Sequence, residues 1–185
     1  MLNRKVVLSG LLSLFITGSV NAAVNPTDQS ATLNISGSVA DSEVAGCSVG
    51  VIGGNTIVLE SMDDTDLLNQ DENGTHMTIV PLHIYGVKNL SDCYDVIQNG
   101  RLALRLTGQS DNATGTVLQN SGTATGVGIG IYNYDTTKPV LINNGNLEIK
   151  KDGTANLGLQ SVKLSGQSAT AGSMKGTLTV EIERL

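Results

Sequence analysis

Chemistry in this chain could start from only a few residues. His76 and His83 are its two histidines. Neither sits in a GxSxG, HExxH or comparable arrangement that holds a base at a fixed distance from a nucleophile or metal. His83 lies between Leu82 and Ile84, an alternation that predicts a strand with the imidazole pointing outward. The acidic run DDTDLLNQDENG, Asp63–Gly74, is rich in oxygen donors. A calcium loop needs those donors at set positions, and Leu67 and Leu68 stand where ligands belong, so the run reads as a solvated loop. In GVGIGIY, Gly126–Tyr132, glycines alternate with larger residues and no helical pattern follows. A phosphate cradle needs a helix N-terminus behind its glycines. This run therefore reads as a strand with a bare face, against which another element packs closely. We expect no catalytic residue, no metal site and no cofactor.

Cys47 and Cys93 are the remaining candidates, and their setting depends on what precedes them. Met1–Lys5 carries Arg4 and Lys5, Val6–Val20 is mostly apolar, and small or permitted residues follow. That order is a secretory signal peptide over residues 1–22, cut between Ala22 and Ala23. Its apolar run is short and broken by Ser9, Ser13 and Thr17, which does not suit a bilayer span. Two cysteines in an exported chain are most simply one disulfide. A metal pair or a catalytic thiol is the sharper reading, but there is no CxxC and no histidine close to either cysteine.

The formal charge is −6, and becomes −8 once Arg4 and Lys5 leave with the signal. An acidic chain without a basic cluster speaks against nucleic acid and against anionic membranes. With one Phe and no Trp, the composition also counts mildly against a carbohydrate platform. The length remaining after residue 22 suits one domain.

What must position these residues is a set of strands. Runs with strand character cover 47–52, 56–60, 77–85, 102–107, 116–118, 127–134, 140–142, 147–150, 156–164 and 178–182. Clusters of Gly, Asn, Asp and Ser separate them. Many short strands at this spacing predict an all-β sandwich or barrel. NNG at Asn143–Gly145 and KDG at Lys151–Gly153 suit tight hairpins, and Pro81 marks an edge, a bulge or a strand changing sheets. Only Ser61–Asn69 has room for a helical turn. Ahead of all these lies SATLNISGSV, in which Ala31, Leu33, Ile35 and Gly37 alternate with polar residues. This is a half-buried strand with no hairpin partner near it.

Signal, early alternating strand LNISGSV, first cysteine in AGCSV, IVLE, second cysteine closing VPLHIYGVKNLSDC, GVGIGIYNYD and a final strand: this order resembles the subunits of chaperone–usher pili, close to the type 1 pilins of Gram-negative bacteria. The resemblance implies an incomplete immunoglobulin-like β-sandwich, residues 38–185, lacking its last strand and holding a Cys47–Cys93 disulfide. It implies that an N-terminal extension, residues 23–37, acts as donor strand through Ala31, Leu33, Ile35 and Gly37. In such families a periplasmic chaperone first fills the groove, and the extension of the next subunit then replaces it at an outer-membrane usher. Leu178, Val180 and Ile182 would border the groove and face the chaperone. The chain departs from the family in ending VEIERL, with Ile182 where a tyrosine usually stands, and in a longer segment from Leu82 to Cys93.

The function implied is a structural subunit, polymerised head to tail into a surface fibre that supports cell adhesion and not inserted in the membrane. A minor adaptor or adhesive subunit is the alternative within the same system. From another class, the alternative is a self-contained exported sandwich that binds a glycan or protein. An alternating strand ahead of the first core strand separates these readings, because only a polymerising subunit needs one.

Overall fold

The computed structural model describes residues 31–38, 46–86 and 93–185. The expected signal peptide, the expected Ala22–Ala23 cut, the lead-in before Ala31, and Val39 lie outside the described residues. The chain folds as an all-β sandwich of two sheets. In the first, β1 (Ala31–Ser38) lies between β3 (Thr56–Leu59) and β11 (Met174–Arg184). β6 (Leu102–Gly108) and β9 (Asn146–Glu148) follow on the far side of β11. The second runs β2 (Cys47–Val51), β5 (Thr78–Gly86), β10 (Thr154–Lys163), β8 (Val127–Asn133) and β7 (Leu118–Gln119), with β4 (Leu68–Asn69) beside the end of β10.

Alternation drives this assembly. In β5, Val80, Leu82 and Ile84 are buried while His83 and Tyr85 face outward. In β11, Met174, Leu178 and Val180 face inward. With Leu104, Leu106, Ile129, Ile131, Leu157 and Leu159 they form one core between the sheets. Pro81 stands where β2 leaves the sheet. The Ile52 N–H donates to the Pro81 carbonyl at 2.9 Å, one step beyond the last ladder pair, Val51 with Leu82. The missing proline N–H thus falls just past the end of the β2 ladder, although β5 is an interior strand and Pro81 still pairs with Asn156 on β10.

The glycine run is buried on both faces. Ile129 and Ile131 enter the main core, while Val117, Tyr132, Val162 and Leu164 make a second cluster. A Cβ on Gly130 would lie 2.6 Å from the Tyr132 hydroxyl, and one on Gly128 would lie 2.8 Å from Val117 Cγ2. The bare face is there so that these side chains can lie flat on the strand.

Three expectations need correction. The helix is not in Ser61–Asn69, which holds a turn and β4; it is α1, Tyr94–Gln98. It follows Cys93 directly and is pinned by the buried Ile97, anchors that periodicity does not reveal. Residues 140–142 form no strand. Ile142 is buried but donates its N–H to the Thr116 carbonyl, and Asn143 turns with φ 65°. The NNG and KDG turns exist but do not join paired strands. β9 pairs with β6 in one sheet and β10 belongs to the other, so KDG carries the chain across the sandwich.

Candidate functional site: the groove between β3 and β11

β1 runs parallel to β11 from Ala31 opposite Met174 to Ser38 opposite Glu181. On its other side it pairs antiparallel with β3, Ala31 opposite Leu59 through Asn34 opposite Thr56. Among the described residues β3 has no other partner in that sheet, and β1 joins it to β11. Leu33 is 0% and Ile35 1% exposed. Together they contribute roughly 3–6 kcal/mol of gross burial energy. Ile35 N–H donates to the Asn55 carbonyl at 2.9 Å, extending the contact past the end of β3. The expected donor positions therefore lie in the groove of their own chain.

The groove is shaped for them. Leu33 stands opposite Gly176 and Ile35 opposite Leu178, while Gly37 lies opposite Val180. A Cβ on Gly176 would sit 2.7 Å from Leu118 Cδ2 and 2.9 Å from Ile129 Cδ1, so only glycine leaves room beneath Leu33 at this register. Sequence reading missed Gly176 because the alternation was traced back only to Leu178. Extending it through Gly176 to Met174 would have shown an empty inward position. Leu178 and Val180 are buried in the groove wall and Ile182 packs on the core from a half-buried position. Past the start of β1, between the two sheets, lies a cleft lined by Met62, Leu67, Ala124, Val127 and Met174 among others.

A disulfide and a hydrogen-bonded carboxylate tie the elements around the groove together. Cys47 and Cys93 form a disulfide, with Cα atoms 5.6 Å apart, both sulfurs in the core. It ties the start of β2 to the start of α1. Near β7, buried Asp111 accepts hydrogen bonds from the backbone N–H groups of Ala113, Thr114 and Val117 and from Gln70 Nε2. Burial pushes the Asp111 carboxyl upward, but the hydrogen bonds from Val117, Ala113, Gln70 and Gly115 together hold it below the usual value. Tyr132 is pushed up to about 12 by burial and by the charges of Asp71 and Glu72. Gln70 and Asp71 come from the acidic run: Gln70 is buried, and Asp71 accepts the Thr116 hydroxyl at 2.6 Å. That run ties two loops together, and among the described residues no cluster of His, Cys, Asp or Glu is arranged to hold a metal. His83 lies on the outward face of β5, its ring stacked on Tyr85.

β1 is thus held between β3 and β11 by apolar side chains, and its ladder with β11 is the parallel one in a sheet whose other ladders are antiparallel. The family model described as Fimbrial protein matches residues 33–183. The chain belongs to the fimbrial protein family. The match begins at Leu33, within β1, and ends at Glu183, within β11. It thus takes in both walls of the groove and most of the strand that fills it. No curated protein matches the chain. The protein is thus a pilus subunit, part of a surface fimbrium. No helix among the described residues is long and apolar enough to cross a membrane.

Proposed function

We propose that this fimbrial subunit is a structural, non-enzymatic unit of a chaperone–usher fimbria that polymerises by donor-strand exchange. The donor is the segment of residues 23–37, and the acceptor is the groove between β3 and β11 of another copy. A periplasmic chaperone fills the groove first and an outer-membrane usher guides the exchange, on the way to the surface of a Gram-negative cell.

One observation supports this reading: β1 fills the space between β3 and β11 in the first sheet. It is the N-terminal element among the described strands. It supplies two fully buried side chains, and its removal would leave β3 unpaired and the core open along β11. Every other ladder in that sheet is antiparallel, and a parallel ladder is slightly less stable per residue. A strand from a second copy entering antiparallel to β11 would run parallel to β3, so it would exchange a parallel ladder of eight pairs for one of four and displace β1 with a net gain. The order of sizes favours this. Ala31, Leu33, Ile35 and Gly37 run small, large, large, small, so the reversed strand still brings a large residue opposite Gly176 and a small one opposite Met174.

The test is assembly in the cell. The double variant Leu33→Asp, Ile35→Asp, expressed with its chaperone and usher, is expected to give no surface fibres by electron microscopy while the wild type gives them. Fibres of normal length from the double variant would overturn the proposal.

A further inference from the structure

The chain has four tyrosines and no tryptophan, and its one phenylalanine, Phe15, falls in the expected signal. Two of those tyrosines come together on the outer side of the second sheet. Tyr94, at the start of α1, is 61% exposed and Tyr85, on β5, is 38% exposed. They line one cleft of about 230 Å3 with His83, Ile97, Lys151 and Asp152. The rings of His83 and Tyr85 stack with centroids 6.1 Å apart and planes 17° from parallel, a flat aromatic surface along β5.

The polar rim is held in place. The Ile84 N–H donates to the Gly153 carbonyl at 2.8 Å and Gln98 Nε2 donates to the Lys151 carbonyl at 2.6 Å. The 151–153 turn is thereby fixed to β5 on one side and to α1 on the other. Gly153 has φ 79°, and a Cβ there would lie 3.1 Å from the Ile84 carbonyl oxygen, so the floor stays open only with glycine. Asp152 Oδ1 accepts the Thr154 N–H at 2.9 Å and its hydroxyl at 2.6 Å. Among the described residues no hydrogen bond or ion pair is made by Asp152 Oδ2 or by the Lys151 ammonium, while the charge of Lys150 acts on the Asp152 carboxylate.

We propose that this cleft binds one pyranose ring of a neutral glycan. A sugar ring offers an apolar C–H face for the aromatic surface and hydroxyls that can both donate and accept. Lys151 supplies a donor and Asp152 an acceptor, and their opposite charges give the rim no net preference for an anionic or a cationic ligand. β5 is paired with β2 over Leu82–Gly86, and on its other side the β10 ladder ends at His83, where the Gly153 carbonyl takes the Ile84 N–H that a docking peptide strand would need. The site is on the opposite sheet from the groove, so it stands or falls independently of strand exchange.

Saturation-transfer NMR on the purified mature chain, with the methyl glycosides of glucose, galactose, mannose and N-acetylglucosamine, tests it. Transfer to the protons of one ring face is expected for at least one glycoside. Tyr94→Ala and Tyr85→Ala should each weaken binding by about tenfold or more. Tyr94→Ala should leave the unfolding temperature unchanged because that side chain is exposed. Absence of transfer from all four glycosides, or transfer that Tyr94→Ala leaves intact, would overturn the proposal. So would self-association of the chain that Tyr94→Ala abolishes without any sugar signal, which would give the cleft to a second copy.

Discussion

Leu33 lies opposite Gly176 across the parallel ladder of β1 and β11, and a Cβ added to Gly176 would come within 3.3 Å of Leu33 Cδ1. The strand and the groove are thus matched at one residue pair, where the bulk of one fills the space left by the other. Gly176→Val should overpack the core against Leu118 and Ile129 as well as Leu33. A loss of about 1–3 kcal/mol is expected, read as a lower urea midpoint. The same variant should accept a donor strand less well.

The reciprocal change empties the slot. Leu33→Ala removes a side chain that is wholly buried, and the expected loss is about 2–5 kcal/mol. Asn34→Ala on the same strand removes an exposed side chain whose contact to the Thr56 hydroxyl is 3.5 Å long. Its effect should stay within about 0.5 kcal/mol. Equal effects from the two substitutions in denaturant melts would show that β1 is not held by its apolar face.

The disulfide joins residues 46 apart in sequence. Closing a loop of that size restricts the unfolded chain by about 4 kcal/mol on the chain-entropy model. Replacing both cysteines by serine should lower stability by that order, and adding reductant to the wild type should bring it to the same midpoint. A variant as stable as the oxidised wild type would contradict the role given to this bond.

Asp111 gives the fold a dependence on acid. Its folded pKa lies below the unfolded one, which is about 3.9, because the hydrogen bonds from Val117, Ala113 and Gln70 outweigh burial. A depressed carboxyl stabilises above the unfolded pKa, and that contribution is lost as pH falls through the folded pKa. Unfolding temperature should therefore drop on the acid side, and Asp111→Asn should flatten that limb while costing stability at neutral pH. An unchanged acid limb in the variant would remove Asp111 from the account.

Much of this was legible in the residues because alternation is local. The strands carrying Val80–Ile84, Ile129–Ile131 and Leu178–Ile182 announce their inward faces, and the early strand Ala31–Gly37 does too. Its partners were not legible, since Ala31 meets Met174 from the far end of the chain and nothing local encodes that pairing. α1 escaped for the opposite reason. Five residues are too few to show a helical period, and Tyr94–Gln98 is held by the neighbouring Cys93 and by Ile97 in the core. At Val140–Ile142 the apolar pattern was overridden by Asn143. Its side chain bonds both the N–H and the carbonyl of Gly108, at 3.1 Å each, and turns the chain away. The tyrosine cleft could not be foreseen, because it joins a strand, a helix and a turn that lie far apart in sequence.

The central claim is that the segment filling the groove is a donor separable from the domain it completes. The direct measurement is thermal unfolding of Ser38–Leu185, oxidised and recovered from a periplasm, with and without a synthetic peptide of Ala23–Gly37. The account predicts a large rise in unfolding temperature with the peptide, lost when Asp replaces Leu33 and Ile35 in it. A truncated domain equally stable with or without peptide would contradict the account and mark the sandwich as complete in itself.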